Sequence, residues 1–293
     1  ITEDDDWWGD EVKLPDPAEN RKMIAEAVAA AKTANQIILT LGDTEQTSRE
    51  GWAESHLGDR ESLDLVGEQQ ELFDALKALG KPITVVLING RPASINKIAV
   101  EANAILEGWY LGEQGGNAVA DVLFGDVNPG GKLPVTFPRS VGQLPFVYNH
   151  KPTARRGYLF ADKSPLYPFG FGLSYSTFEI GAPILSSSTI PTNGTVTITV
   201  PVKNTSNRAG DETVQIYVRD KISSVTRSVK DLKAFKRVTL AAGETKNVAF
   251  TLNSEAFHFW NDKMQRVVEP GEYEMMAGSN SADVKPVTLT ITE

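Results

Sequence analysis

"VGEQQELFDALKALGKPITVVLING", residues 66–90, decides the fold class of this chain. Its first part is amphipathic with helical spacing and closes at Gly80, a residue suited to the end of a helix. Its second part is a Val- and Ile-rich run, apolar on both faces, which reads as a buried strand. The same grammar extends in both directions. Upstream, "ENRKMIAEAVAAAKTA" sets Met23, Ile24, Ala27, Val28 and Ala31 at helical spacing, and "QIILTLGD" supplies a strand ending in a Gly-Asp turn. Downstream, "PASINKIAVEA" with "AILEGWYLG", and "EQGGNAVADVLFGD" with "KLPVTFP", give a third and a fourth helix–strand pair. Strands apolar on both faces and separated by helices predict an α/β domain with an open, mainly parallel sheet sandwiched by helices. The chain enters this domain through a helix, whereas such sheets usually begin with a strand. One or two further strands, and a longer protein, are therefore expected.

Beyond Pro168 the pattern changes. "TVTITVPVKNTS", "ETVQIYVRD", "LKAFKRVTL", "TKNVAFTL", "GEYEMMAGS" and "VTLTITE" are short strands broken by Gly, Asn and charged turns. They predict an all-β antiparallel sandwich of about seven strands. The expected division is an α/β domain over 1–150, an ordered strap over 151–178 packed on it, and the sandwich over 179–293. A length of 293 residues fits two cores better than one.

The net charge of −9 and the lack of a Lys/Arg stripe argue against a nucleic-acid partner. No cysteine is present, which removes disulfides, thiolate catalysis and Cys-based metal sites together. His56, His150 and His258 lack ligand spacing, so neither a metal nor a cofactor is expected. No apolar run approaches the ~20 residues that cross a bilayer, so no membrane partner is expected.

The segment "LGDTEQTSREGWAESHLGDRESLDL", residues 41–65, is too long for an ordinary connection, which spans roughly 4–6 residues. Ligands of open parallel sheets gather at the carboxyl ends of the strands, where this loop lies. It holds Asp43, Glu45, Glu50, Glu54, Asp59 and Glu61 with Arg49, Arg60, Trp52 and His56. Carboxyls for proton transfer, an aromatic face for a pyranose ring and arginines to hold the carboxyls are the residue types of a sugar site. A solvated loop with internal ion pairs has the same composition, and composition does not separate the two.

"REGWAESHLGDRESLDL", "KPITVVLINGRPASI", "EQGGNAVADVLFGDVNPGGKLPVTFP" and "PLYPFGFGLSYSTFE", in this order and followed by a β-sandwich, resemble the carboxy-terminal half of glycoside hydrolase family 3. The resemblance implies a retaining exo-β-glycosidase acting on β-linked glucosides or short oligosaccharides, with β-xylosides as the alternative. It also implies an absent amino-terminal (β/α)8 barrel that holds the nucleophile, a fibronectin type III-like second domain, and a periplasmic or secreted location; a homodimer is compatible with it. The family's Glu-Gly-aromatic pattern ahead of Gly-Asp-Arg falls on Glu50-Gly51-Trp52 and Gly58-Asp59-Arg60. Glu50 is then the general acid/base, with Glu54 and Glu45 as competitors. Arg49 stands where related sequences often carry a small residue. Trp52 either lines an aglycone subsite or pins the loop, His56 is either a second substrate contact or a solvated loop histidine, and Arg49, Asp59 and Arg60 structure the loop. The rival reading is a non-catalytic carbohydrate-binding or scaffolding protein that kept the two-domain frame.

Overall fold

A computed structural model describes residues 14–48, 60–153 and 158–293. The chain folds as two compact units, residues 1–120 with 137–144, and residues 121–136 with 145–293.

The first unit is built on a three-stranded parallel sheet in the order β1-β2-β3, with β1 at Ile37–Gly42, β2 at Ile83–Ile88 and β3 at Ala104–Glu107. The helices are α1 (Pro17–Ala31), α2 (Glu45–Ser48), α3 (Gln69–Lys77), α4 (Asn96–Glu101) and α5 (Gly115–Phe124). Asp16 caps α1 by accepting the Ala18 N–H at 2.8 Å, and Pro17 follows where its missing N–H costs nothing. In β2, Ile83, Val85, Val86 and Leu87 are all buried, so both faces of the central strand are covered. Phe73 and Leu76 of α3 and Ile98 of α4 complete this core. Each such side chain contributes roughly 1.5–3 kcal/mol through burial. An apolar groove of about 510 Å³ runs beside α1 and α3, lined by Met23, Ile24, Ala27, Val66 and Leu72 among others.

Two expectations change here. "KLPVTFP" adds no fourth strand to the sheet: only Phe137 makes an isolated bridge. Pro134 lacks the N–H that a ladder needs, and Pro138 ends the segment, so a central strand cannot form from it. The long connection after β1 also begins with a helical turn, α2, held by its own hydroxyls. Thr44 N–H donates to Thr47 Oγ1 at 2.9 Å, and Ser48 Oγ donates to Thr44 O at 3.0 Å.

The second unit holds two facing sheets. One joins β10 (Thr245–Asn253), β7 (Thr195–Asn204) and β4 (Phe178–Ile180), with β5 (Ile184–Leu185) also on β7. The other runs β6-β14-β13-β8-β9, from Thr189–Pro191 through Val284–Thr292, Gly271–Gly278 and Gly210–Asp220 to Asp231–Leu240. Pairing is antiparallel except between β14 and β6. Alternation decides which residues face inward. Val196, Ile198, Val200 and Val202 of β7 are fully buried, and β10 sets Leu252, Phe250 and Val248 opposite the first three. Val214, Ile216, Tyr273, Met275 and Leu289 close the core from the other sheet. β11 (Phe259–Trp260) and β12 (Arg266–Val267) form a two-stranded antiparallel hairpin, preceded by Phe257, whose ring lies 5.4 Å from that of Tyr273 between centroids.

The aromatic strap belongs to this second unit. Tyr148 stacks on Phe169 at 4.3 Å and meets Tyr217 edge-on at 5.7 Å, while its hydroxyl accepts the Leu232 N–H at 3.1 Å. Residues 121–136 are tied in alongside: Asn128 Nδ2 donates to Ser176 Oγ and Ala209 O, both at 2.9 Å, and Tyr175 O–H donates to Val122 O at 2.6 Å. Tyr175→Phe deletes that last bond from a half-exposed ring, and a loss of about 0.5–1 kcal/mol is expected from the urea unfolding of the second unit.

Candidate active site

The carboxyl ends of the three parallel strands form a rim. Register brings Gly42 opposite Ile88, and Leu87 opposite Glu107. The residues that follow each strand, Asp43, Asn89 with Arg91, and Trp109 with Tyr110, therefore cluster although the sequence separates them.

β1 leaves the sheet at Gly42, whose φ of +143° is open to glycine; a Cβ there would stand 1.8 Å from Ile88 O. Its N–H donates to Gln69 Oε1 at 2.7 Å, and its carbonyl accepts Gln69 Nε2 at 2.8 Å, so α3 clamps the strand end. Asp43 comes next and is buried. Arg60, on the far side of the long connection, reaches its Oδ2 at 3.5 Å and also donates to Asp64 O. Burial pushes the Asp43 carboxyl up, and Arg60 and Arg91 oppose that rise. Oδ1 is buried with no hydrogen-bond partner.

Ser48, the last residue before segment 49–59, is held on two sides. Its Oγ bonds the Tyr110 hydroxyl, and its carbonyl accepts from Arg91 Nη2. Gly90 makes this approach feasible, because a Cβ at that position would stand 2.7 Å from the Tyr110 ring and 2.9 Å from Ser48 Oγ. Ser48 and Arg60, the residues on either side of positions 49–59, are thus held at the rim, the first by Tyr110 and Arg91 and the second by Asp43.

Glu107 ends β3. Its Oε1 accepts the Trp109 N–H at 3.0 Å, and its Oε2 is buried without a partner. Burial pushes its carboxyl up to about 7, with the Trp109 N–H and the Asn89 side chain opposing. Trp109 has a φ of +54°, rare for a bulky residue, and its ring lies 5.7 Å from Phe137.

Of the residues singled out from the sequence, Arg49, Glu50, Trp52, Glu54, His56 and Asp59 lie outside the described residues. Glu45 sits in α2, and Arg60 is paired with Asp43 as above. His150 and His258 belong to the second unit, where His150 Nδ1 is 2.8 Å from Lys151 O and His258 Nδ1 is 3.7 Å from Glu255. Among the described residues no group of three or more His, Asp or Glu is placed to hold a metal ion. Sequence reading passed over Asn89, Arg91, Glu107 and Tyr110. A signal was present: a carboxyl or amide ending an apolar parallel strand, as in "AILE" and "VVLIN", points at the ligand side of the sheet.

Residues 11–175 match the family model described as the glycosyl hydrolase family 3 C-terminal domain, and residues 212–281 match the fibronectin type III-like domain. The chain is 50% identical over 272 residues to a beta-xylosidase of Formosa agariphila, covering 91% of this chain and 37% of that protein. It is 44% identical over 281 residues to a periplasmic beta-glucosidase of Salmonella typhimurium, covering 92% and 36%. Among solved structures, a β-glucosidase from Erythrobacter marinus superposes with a TM-score of 0.94 at 47% identity, over 97% of this chain and 38% of that one. A beta-glucosidase from Listeria innocua in complex with glucose gives 0.85 at 34% identity, over 97% and 39%. The chain spans little more than a third of the length of these relatives.

Proposed function

Because the chain belongs to glycosyl hydrolase family 3, we propose that it is part of a retaining exo-β-glycosidase that hydrolyses terminal non-reducing β-D-glucosyl residues. In this reading it supplies the general acid/base, Glu50, to a site shared with a (β/α)8 barrel that holds the nucleophile. The observation that supports it is that Ser48 and Arg60, which flank positions 49–59, are both held at the ligand side of the parallel sheet, Ser48 by Tyr110 and Arg91 and Arg60 by Asp43.

The chemistry sets what each part does. Retention of anomeric configuration takes two carboxyl groups roughly 5–5.5 Å apart, one to attack the anomeric carbon and one to protonate the departing oxygen. A glutamate that acts as acid near neutrality needs its pKa raised toward ~6–7 by burial or a neighbouring negative charge. Segment 49–59 offers the acid; the barrel offers the attacking carboxylate and the opposite wall. Trp52 and His56 are the substrate contacts in this reading, and Arg49, Asp59 and Arg60 shape the loop. A relative named beta-xylosidase makes β-xylosides the second substrate class, and one named periplasmic beta-glucosidase supports a periplasmic or secreted location.

Release of nitrophenol from a nitrophenyl β-glucoside tests the proposal. The chain alone is expected to match buffer, and the same chain joined to its barrel is expected to turn over. Turnover by the chain alone that vanished in Glu50→Gln would contradict the shared site. The rival, a carbohydrate-binding module, predicts something different: clear saturation of intrinsic fluorescence with cellobiose in the chain alone, where an enzyme part binds glucose and cellobiose feebly.

A further inference from the structure

Glu107 is a partly buried residue, with one carboxyl oxygen out of solvent, for which the proposed cleavage has no use. It stands at the end of β3 with one oxygen on the Trp109 N–H at 3.0 Å and the other without a donor. Asn89, fully buried at the end of β2, has its side chain beside this carboxyl. Asn89 Nδ2 donates to Arg91 O at 2.8 Å, while its own Oδ1 is buried without a partner. Buried acceptors left without donors cost on the order of 1–3 kcal/mol each.

The two neighbours of Glu107 lead to the same place. Trp109 occupies the left-handed region, at φ +54°, so its turn needs outside support, and Tyr110, which bonds Ser48 Oγ, is the next residue. Arg91, whose carbonyl Asn89 holds, bonds the Ser48 carbonyl through its guanidinium. We propose that Glu107 is a positioning residue for the reaction: by accepting the Trp109 N–H, with the Asn89 side chain beside it, it sets Tyr110 and Arg91, the two supports of Ser48. This rests on the reading that the general acid lies in segment 49–59.

Glu107 changes charge within the range of ordinary assays, since burial holds its carboxyl at about 7. The charged groups on the neighbouring elements are Asp43 after β1, Arg91 after β2, and Arg60. Asp43 answers to both arginines, whereas the influences on Glu107 are burial, the Trp109 N–H and Asn89 alone. Its ionisation above neutrality therefore places a negative charge with no cation of its own in a partly buried site, and the turn at 107–110 opens to hydrate it.

The test is the rate of tryptic cleavage after Arg49 at pH 6 and pH 8.5, followed by mass spectrometry and normalised at each pH to a small peptide substrate. Ionisation of Glu107 rises from roughly a tenth to nearly complete between these values. The wild-type chain is expected to show a rise of about fivefold, drawn from local opening at the rim. Glu107→Gln, neutral at both values, is expected to keep the pH 6 rate throughout, and Tyr110→Phe to be cut fast at both. In the barrel-joined enzyme, Glu107→Gln is expected to move the alkaline limb of kcat upward with little change in KM. Equal wild-type rates at the two pH values, or a Glu107→Gln variant that keeps the rise, overturns the proposal even if the protein is an active glycosidase. A Glu107-dependent rise in a protein that never cleaves a glycoside upholds the grip on Ser48 and removes the glycosidase reading instead.

Discussion

Glu50→Ala, in the chain joined to its barrel, is expected to lower kcat by about 10²- to 10⁴-fold on glucosides with poor leaving groups, the range a positioned general acid contributes. A departing oxygen that needs a proton loses most; a nitrophenolate, stable as an anion, needs little help and loses least. Azide is expected to restore part of the turnover, because the small anion enters the space left by the carboxylate and attacks the glycosyl-enzyme without base assistance. The measurement is kcat across a leaving-group series with and without azide. A uniform loss for every leaving group with no rescue moves the role from Glu50 to Glu54 or Glu45, and the same series on those variants then identifies the acid.

Arg60→Ala is expected to destabilise the first unit by about 3 kcal/mol at neutral pH, near the low end for a buried charge that loses its partner, since Arg91 remains beside Asp43. The Asp43 side chain is 1% exposed and that of Arg60 15%, so water screens the pair little. The sign with pH follows from burial. The Asp43 carboxyl already titrates above its ordinary value in the fold, so this group favours the folded state most at low pH and progressively less as pH rises through its folded value. Removing Arg60 pushes the carboxyl further up and deepens the loss at neutral pH. The difference between wild type and Arg60→Ala should therefore shrink as pH falls toward the ordinary carboxylate range. Hydrogen exchange of the Val85 and Leu87 amides in β2 reports this unit by itself. Equal protection in both proteins at neutral pH would mean that Arg60 holds no part of the rim. Asp43→Asn with Arg60→Met, which removes both charges together, should recover most of the loss.

The elements came through from the sequence wherever local pattern and burial agree. The apolar run 83–88 is a central parallel strand because both of its faces are covered, and the alternation in 195–202 sends Val196, Ile198, Val200 and Val202 inward as a half-buried strand must. Residues 132–138 misled because apolar character was weighed above backbone donors; two prolines outweigh Leu133 and Val135 in a segment that short.

The site divides in the same way. Sequence by itself determined the class of the chain, an α/β unit followed by a β-sandwich, and the acid-rich connection after the first strand, because periodicity and ordered motifs are local properties. Only the tertiary structure decided what fastens that connection. Asp43 pairs with Arg60 across seventeen positions through a side-chain contact, and Asn89 comes beside Glu107 across eighteen because parallel register brings the ends of β2 and β3 level. A carboxyl raised to about 7 is a property of the burial those ends create, and no single stretch of residues encodes it.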